Sequence, residues 1–376
     1  MIIRHFTWPI SGALLALSSV HAQTMRAGFV TTLGRDTVAL ESYERSSSKL
    51  EGDVVIRVPG TVHFHYVLDL RSNGTVSHSV LTMDPLGVGS LAPRTTTFDF
   101  PADSATVPFF MTGFESSFGL YSSLGITEAL LASVPVSATD TVHMASVDIA
   151  TGRRVKRNFM RPSTTSAAID FFKIAWTHLS TDTQGHILSA DMSETTEKVR
   201  TARTAPIDIA SAAKEFATRD RAGAGVGVAS PDQLVNATIG GKSVMVSFGS
   251  PRRRNREILG VVVPYDKVWR TGANAATTLV NAVDLTIGGK RIPAGSYSLW
   301  TLPTRSGVQL IVNAQSGQWG TSYDPKQDVV RVPMQTSTIG TPRENFAIEI
   351  ASAGSNSAEL RISWDTFVWS VPVTIK

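Results

Sequence analysis

Val62-His63-Phe64-His65-Tyr66-Val67-Leu68-Asp69-Leu70, followed after Arg71-Ser72-Asn73-Gly74 by Thr75-Val76-Ser77-His78-Ser79-Val80-Leu81-Thr82-Met83, decides the fold. Both runs alternate apolar with polar residues, and Asn73-Gly74 tolerates the positive φ of a tight hairpin turn. Pairing Ser72 with Thr75 sets a register in which Asp69 opposes His78, His65 opposes Thr82 and His63 opposes Asp84. Side chains alternate with a period of two, so Phe64, Tyr66, Leu68, Leu70, Leu81 and Met83 share one face, and His63, His65, Asp69, His78 and Asp84 share the other. An antiparallel sheet with one face on a core and one face wet follows.

The same pattern continues outward. Residues 142–149 and 154–160 read as a hairpin turning through Thr151-Gly152, and 171–179 with 186–192 as another turning near Gly185. A single short helix is expected over 127–134, with Thr127 as its cap. Residues 23–205 therefore form an antiparallel α+β domain built on a curved sheet. Residues 206–219 read as a helix, and Ala222-Gly223-Ala224-Gly225-Val226-Gly227 as a flexible stretch, so 206–229 joins two domains. A chain of 376 residues fits that division.

From residue 230 the alternation is cleaner: Val244, Val246, Phe248; Phe346, Ile348, Ile350; Leu360, Ile362, Trp364; then Phe367, Trp369, Val371, Val373. Thr238-Ile239-Gly240-Gly241-Lys242 recurs as Thr286-Ile287-Gly288-Gly289-Lys290, two Gly-Gly hairpins. Roughly eight strands with no helical period predict a β-sandwich over 230–376, jelly-roll-like in its succession. Pro372 lacks an N–H, which places the last strand at an edge.

Charged residues make up 18 % of the chain and the net charge is +4, a field too weak for a nucleic-acid binder. Residues 1–22 read as a signal peptide: Arg4 and His5 begin it, an apolar stretch runs to Leu17, and Val20-His21-Ala22 offers a cut after Ala22. There are no cysteines, which excludes disulfides, thiolate sites and a lipoprotein anchor. No later run reaches the roughly 18–20 apolar residues of a membrane span. The mature protein is expected to be periplasmic or secreted.

The last histidine is His186, so the C-terminal domain has neither the imidazole of a Ser-His-Asp triad nor a His-ligated zinc. The turn Val268-Trp269-Arg270-Thr271-Gly272-Ala273-Asn274 carries what remains. Arg270 suits a carboxylate, phosphate or sugar hydroxyl, and Asn274 supplies a donor and an acceptor. Tyr265, Tyr297 and Trp319 offer stacking faces, and Asp328 a carboxylate. The plainer alternative has Asn274 satisfying loop backbone, Arg270 pairing with Asp328, and Trp319 packed as core. The run Arg252-Arg253-Arg254-Asn255-Arg256 reads as a solvated loop. His63 and His65, i and i+2 on a strand with Asp84 opposite, form a candidate divalent-metal set, against the alternative of a polar outer face. Asp266, Asp324, Asp328 and Glu344 are the carboxylates from which a histidine-independent glycan hydrolase would draw a pair.

Pro264-Tyr265, Trp269-Arg270-Thr271-Gly272-Ala273-Asn274, Ile292-Pro293-Ala294-Gly295-Ser296-Tyr297-Ser298-Leu299, Gln318-Trp319-Gly320 and Asp328-Val329-Val330-Arg331-Val332 occur in that order, with Ser230-Pro231 and Ser250-Pro251 before them. Together they resemble the bacterial family called domain of unknown function 2911, over residues 230–376 alone. The resemblance implies a secreted or periplasmic β domain with no established activity, and basic residues at Arg252 and Arg256. It also implies a Glu after the Asn in many members, where this chain has Ala275, which weakens a catalytic reading. The expectation is an exported binding or interaction module for a small polar ligand such as a carbohydrate, or for an envelope component, without a cofactor. The alternatives are the paired-carboxylate glycan hydrolase and a periplasmic lipid carrier working through a half-barrel in the N-terminal domain.

Overall fold

The structure, a computed structural model, describes residues 24–87, 92–102, 106–114, 117–171, 175–195 and 198–375; the signal peptide expected over 1–22 lies outside the described residues. The chain is mainly β, in two large sheets and one small hairpin.

Thirteen strands form the first sheet. From the edge strand Arg94–Asp99 it steps back along the chain through Val76–Pro85, Val62–Leu70, Lys49–Ile56 and Asp36–Arg45 to Met25–Leu33. It then crosses to Arg200–Thr204 and steps back again to Thr141–Asp148, with Val107–Phe109 parallel to that strand at the far edge. The sheet curls until its limbs meet: the Phe64 and Phe110 rings are 4.9 Å apart, and Arg94 Nη2 donates to the Ala150 carbonyl at 2.9 Å. One core gathers Phe29, Tyr66, Leu68 and Leu81 from one limb, Phe159, Ile169 and Ile187 from the other, and Leu124, Ile126 and Leu131 from a helix between them. Burying each such side chain contributes about 1.5–3 kcal/mol. Among the described residues, these side chains pack on the inner side of the curve.

The opening hairpin has the expected register, His63 opposite Asp84, His65 opposite Thr82 and Asp69 opposite His78. Its turn differs. Arg71 N donates to Thr75 O at 2.8 Å and Gly74 sits at φ 78°, closing a three-residue loop. A bulge between Asp69 and Leu70 absorbs the extra residue and restores the pairing beyond it.

The short helix spans Leu124–Leu131 with Ser123 as its cap, three residues earlier than the local pattern places it. The cause is Glu41, fully buried on a distant strand. Its carboxylate accepts from Ser123 Oγ at 2.6 Å, Leu124 N at 2.8 Å, Gly125 N at 3.2 Å and Tyr66 OH at 2.8 Å, so the first turn is satisfied by a tertiary anion. Thr127 lies within the helix and donates its hydroxyl to Ser123 O at 2.7 Å. The second helix, Ile209–Arg221, starts at Asp208, which accepts from Ser211 N at 2.9 Å and leaves Pro206 outside. Ile209, Ala213 and Phe216 dock on Leu40 and Val55.

Nine strands form the second sheet, beginning with Asp232–Ile239, Lys242–Gly249, Ala273–Asn281, Gly295–Thr304 and Gly307–Asn313. Gly240, Gly241, Gly288 and Gly289 all take positive φ and turn Ile239 onto Lys242 and Ile287 onto Lys290, as the repeat predicts. The 27-residue strand Asp328–Gly354 pairs with Gly307–Asn313 up to Met334, then with Ser357–Thr374 from Gln335 onward. Val246, Leu299, Ile362, Trp364 and Trp369 from across this succession fill one core. Pro372 does not mark an edge, because Ser357–Thr374 has a neighbour on each side and the edges are Asp232–Ile239 and Lys290–Ile292. The long strand's pairing here begins with Gln335 opposite Ser370, so the missing N–H of Pro372 falls beyond that ladder, while its carbonyl accepts from Gly288 N at 2.9 Å.

The basic run 252–256 is a clamp between the domains, where the sequence suggests a solvated loop. Arg254 is 2 % exposed and ion-paired with Asp36, and its carbonyl accepts from Arg35 N at 3.0 Å. Gly34, at φ 60°, has no room for a Cβ, which would overlap that carbonyl. Arg252 Nη1 donates to Val226 O at 3.3 Å, and Arg253 Nε lies 2.8 Å from Asp365 Oδ1. Asp36 and Asp365, distant in sequence, pair with Arg254 and Arg253, so the run is tied into the structure by tertiary partners.

Candidate functional site

Strand alternation places the central turn. Trp269 points inward, stacked 6.2 Å from Trp364 and edge-on to Phe346 at 5.4 Å. Its backbone pairs with Thr301 through bonds of 2.8 and 2.9 Å. Arg270, the next residue, therefore faces the other way. The chain then turns sharply: Thr271 sits at φ 55° and Asn274 at φ 62°. A β-branched residue in that region is strained, and such strain gathers at binding and catalytic sites. The turn is held by Thr277 Oγ1, which donates to Thr271 O at 2.7 Å.

The Gln318-Trp319-Gly320 segment docks on this turn. Ala276 N donates to Gln318 O at 3.1 Å and Gly320 N to Asn274 O at 3.0 Å. Gly320 is required there, since a Cβ would overlap Arg270 Cδ and stand 2.5 Å from the Asn274 carbonyl oxygen. Gln318 Nε2 and Trp300 Nε1 both donate to Ser298 Oγ, at 2.9 and 2.8 Å. Tyr323 packs on Trp300 at 4.9 Å.

Arg270, Asn274 and Trp319 open onto a cavity of about 870 Å³ between the two domains. Trp176, Glu194 and Lys198 of the N-terminal domain form the opposite wall, with Arg256, Lys267 and Tyr323 completing the near one. Lys198 is half-buried and donates its ammonium to Ser193 O at 2.6 Å. Burial, then the charges of Arg270, Arg256 and Lys267, push its pKa down to about 8. Burial and the neighbouring Arg254 push Arg256 down to about 10.

Of the residues selected from sequence, the cavity brings together Arg270, Asn274 and Trp319, the last half-buried. Asp328 stands behind the wall: it accepts from Tyr323 OH at 2.7 Å and from Arg331 Nη2 at 2.7 Å, so its ion partner is Arg331 rather than Arg270. Burial and this carboxylate raise Tyr323 to about 12. Tyr265 lies outside the lining with Arg305 5.1 Å over its ring, and Tyr297 is buried with its hydroxyl on Pro293 O at 3.0 Å. Asn274 Nδ2 donates to Ser230 O at 3.3 Å. Ala275 is exposed and outside the lining.

Asp266, Asp324, Asp328 and Glu344 do not line the cavity; among the described lining residues Glu194 is the sole carboxylate. His63 Nε2 and His65 Nδ1 converge on Asp53 Oδ1 at 2.9 and 3.1 Å, on the strand opposite to the one that carries Asp84. Among the described residues no group of three metal-ligating side chains gathers. Lys198, Lys267 and Trp176 escaped sequence reasoning, because two of them come from another domain and nothing local marks any of them.

No curated protein matches this chain. A solved DUF1089 family protein from Pseudomonas aeruginosa is similar at 11 % identity, over 50 % of this chain and 95 % of its own, with a TM-score of 0.30. The motifs quoted from the C-terminal half fall together in sequence and, for Trp269–Asn274 and Gln318–Gly320, in space; that domain, residues 230–373, matches the family described as protein of unknown function (DUF2911).

Proposed function

We propose that the protein is a binding module of the cell envelope whose inter-domain cavity takes a small polar ligand with a sugar-like ring. The observation that supports this is the convergence of Arg270, Asn274 and Trp319 on one cavity of about 870 Å³, a size in the usual range of ligand sites. Arg270 and Asn274 supply directed polar groups and Trp319 a face for stacking. Export by a cleaved leader over residues 1–22 belongs to the same proposal, and the mass of the protein recovered outside the cytoplasm tests it.

Binding is tested by thermal shift of the mature protein against a panel of neutral and charged sugars. A ligand that binds only the folded state stabilises it by RT ln(1 + [L]/Kd), about 2.7 kcal/mol at a hundredfold excess over Kd. The expected result is a shift that Arg270→Gln and Trp319→Ala each abolish. A panel that leaves the transition unmoved sinks the reading.

No helix among the described residues is long and apolar enough to cross a membrane.

A further inference from the structure

The cavity carries an aromatic ring from each domain. Trp319 belongs to the C-terminal domain, where its backbone bridges to Ala275, and its half-buried side chain lines the cavity. Trp176 belongs to the N-terminal sheet, on the strand Ala175–Thr181. Alternation along that strand buries Thr177 and Leu179 and turns Trp176 to the other face, where it is half-buried against the cavity. Its ring therefore lies outside the core that holds Leu179. Polar groups accompany both rings: Ser193 and Glu194 from one domain, Ser230 and Asn274 from the other, so acceptors and donors both face the lining. Each wall also holds a non-glycine residue in the left-handed region, Lys198 at φ 57° and Asn274 at φ 62°, a conformation that gathers at ligand clamps. The volume of about 870 Å³ lies near the top of the range of about 300–1,000 Å³ for small-molecule sites.

From these walls we infer that the ligand is an oligosaccharide of at least two sugar rings lying across the junction, one ring on Trp319 and another on Trp176. This rests on the cavity being the binding site, and adds that the N-terminal domain contributes a subsite of its own. A sugar ring has an apolar face of C–H groups that suits an indole, and a rim of hydroxyls that both donate and accept. A second ring, tethered to the first, reaches the second indole without a further loss of translational freedom, so affinity grows with chain length. A glucan fragment and an amino-sugar fragment share this chemistry.

Titration calorimetry of the mature, full-length protein at neutral pH, with glucose, cellobiose, maltose and N,N′-diacetylchitobiose as probes, tests the inference. At least one disaccharide is expected to bind about tenfold or more tighter than glucose. Which disaccharide wins separates a glucan source from an amino-sugar source. Trp176→Ala is expected to bring that disaccharide down to the affinity of glucose and to leave glucose itself unchanged, which also reports that the variant is folded. Trp176→Phe keeps an aromatic face and is expected to retain most of the gain. Disaccharides no tighter than glucose overturn the two-ring ligand while leaving the binding module standing, as does a gain that survives Trp176→Ala. Loss of glucose binding in Trp176→Phe overturns the division into two subsites. Absence of binding by every probe overturns both the inference and the binding module.

Discussion

The arm of Arg270 crosses directly over Gly320, so closely that a Cβ on residue 320 would overlap Arg270 Cδ. Two motifs separated by half a hundred residues of sequence are thus one unit: the first supplies the cation and the second the empty space that lets it reach the cavity.

Gly320→Ala is accordingly expected to displace Arg270 and strain the Asn274 carbonyl, destabilising the fold by about 1–3 kcal/mol. It should also abolish ligand binding. Arg270→Gln should lose the binding as well. A Gly320→Ala protein that melts and binds like the parent contradicts the packing.

Arg254 and Asp36 predict an asymmetry between the domains. Arg254 is 2 % exposed, while the Asp36 side chain keeps 29 % of its surface in water. Asp36→Ala strands a buried guanidinium and is expected to cost about 3–5 kcal/mol. Arg254→Met leaves a carboxylate that water can reach, and should cost clearly less. Denaturant unfolding of both variants measures the order, and the reverse order refutes the clamp.

Lys198 gives a pH dependence with a defined sign. Its pKa is about 8 when folded and about 10.4 when unfolded. Between those values the unfolded chain holds a proton that the folded one lacks, so this group's contribution to stability rises with pH from about 8 to 10. Below 8 both states are charged and the full cost of confinement applies. Lys198→Met should therefore raise the melting temperature at pH 7, with the gain fading by pH 10. A gain independent of pH would remove Lys198 as the titrating group.

Glu41 is the cap that local pattern did not show. Removing it leaves Ser123, Tyr66 and two helix amides without their acceptor, and Glu41→Ala is expected to cost about 3–5 kcal/mol. Hydrogen exchange should show the amides of 124–131 opening first. Uniform exchange across the domain would deny Glu41 this local role.

Sequence legibility followed the range of the forces. The His63–Asp84 register and both Gly-Gly turns depend on neighbours a few residues away, and alternation reveals them. Glu41 capping Ser123 and Arg254 meeting Asp36 join groups 82 and 218 residues apart, which no periodicity encodes. The candidate site divides the same way. Arg270, Asn274 and Trp319 stand out as polar or aromatic residues in a turn-rich stretch, whereas Lys198 and Trp176 become site residues only through the way the domains meet. Pro372 shows the complementary error: a reliable local rule about missing N–H groups was met by a strand that changes partner beside it.

Arg35 N, at the tip of the first hairpin made, finds its acceptor in the carbonyl of Arg254. Synthesis runs from the N-terminus, and domains fold as units as they emerge. The first hairpin must therefore wait, its tip amide solvated and its Asp36 unpaired, until the second domain's basic run has been made. The junction, and with it the cavity that Lys198 and Arg270 line from opposite sides, is then the last part of the molecule to be assembled. A truncated product ending before residue 254 would lack both the carbonyl that takes the Arg35 amide and the later residues that line the cavity, Arg256, Lys267 and Arg270 among them.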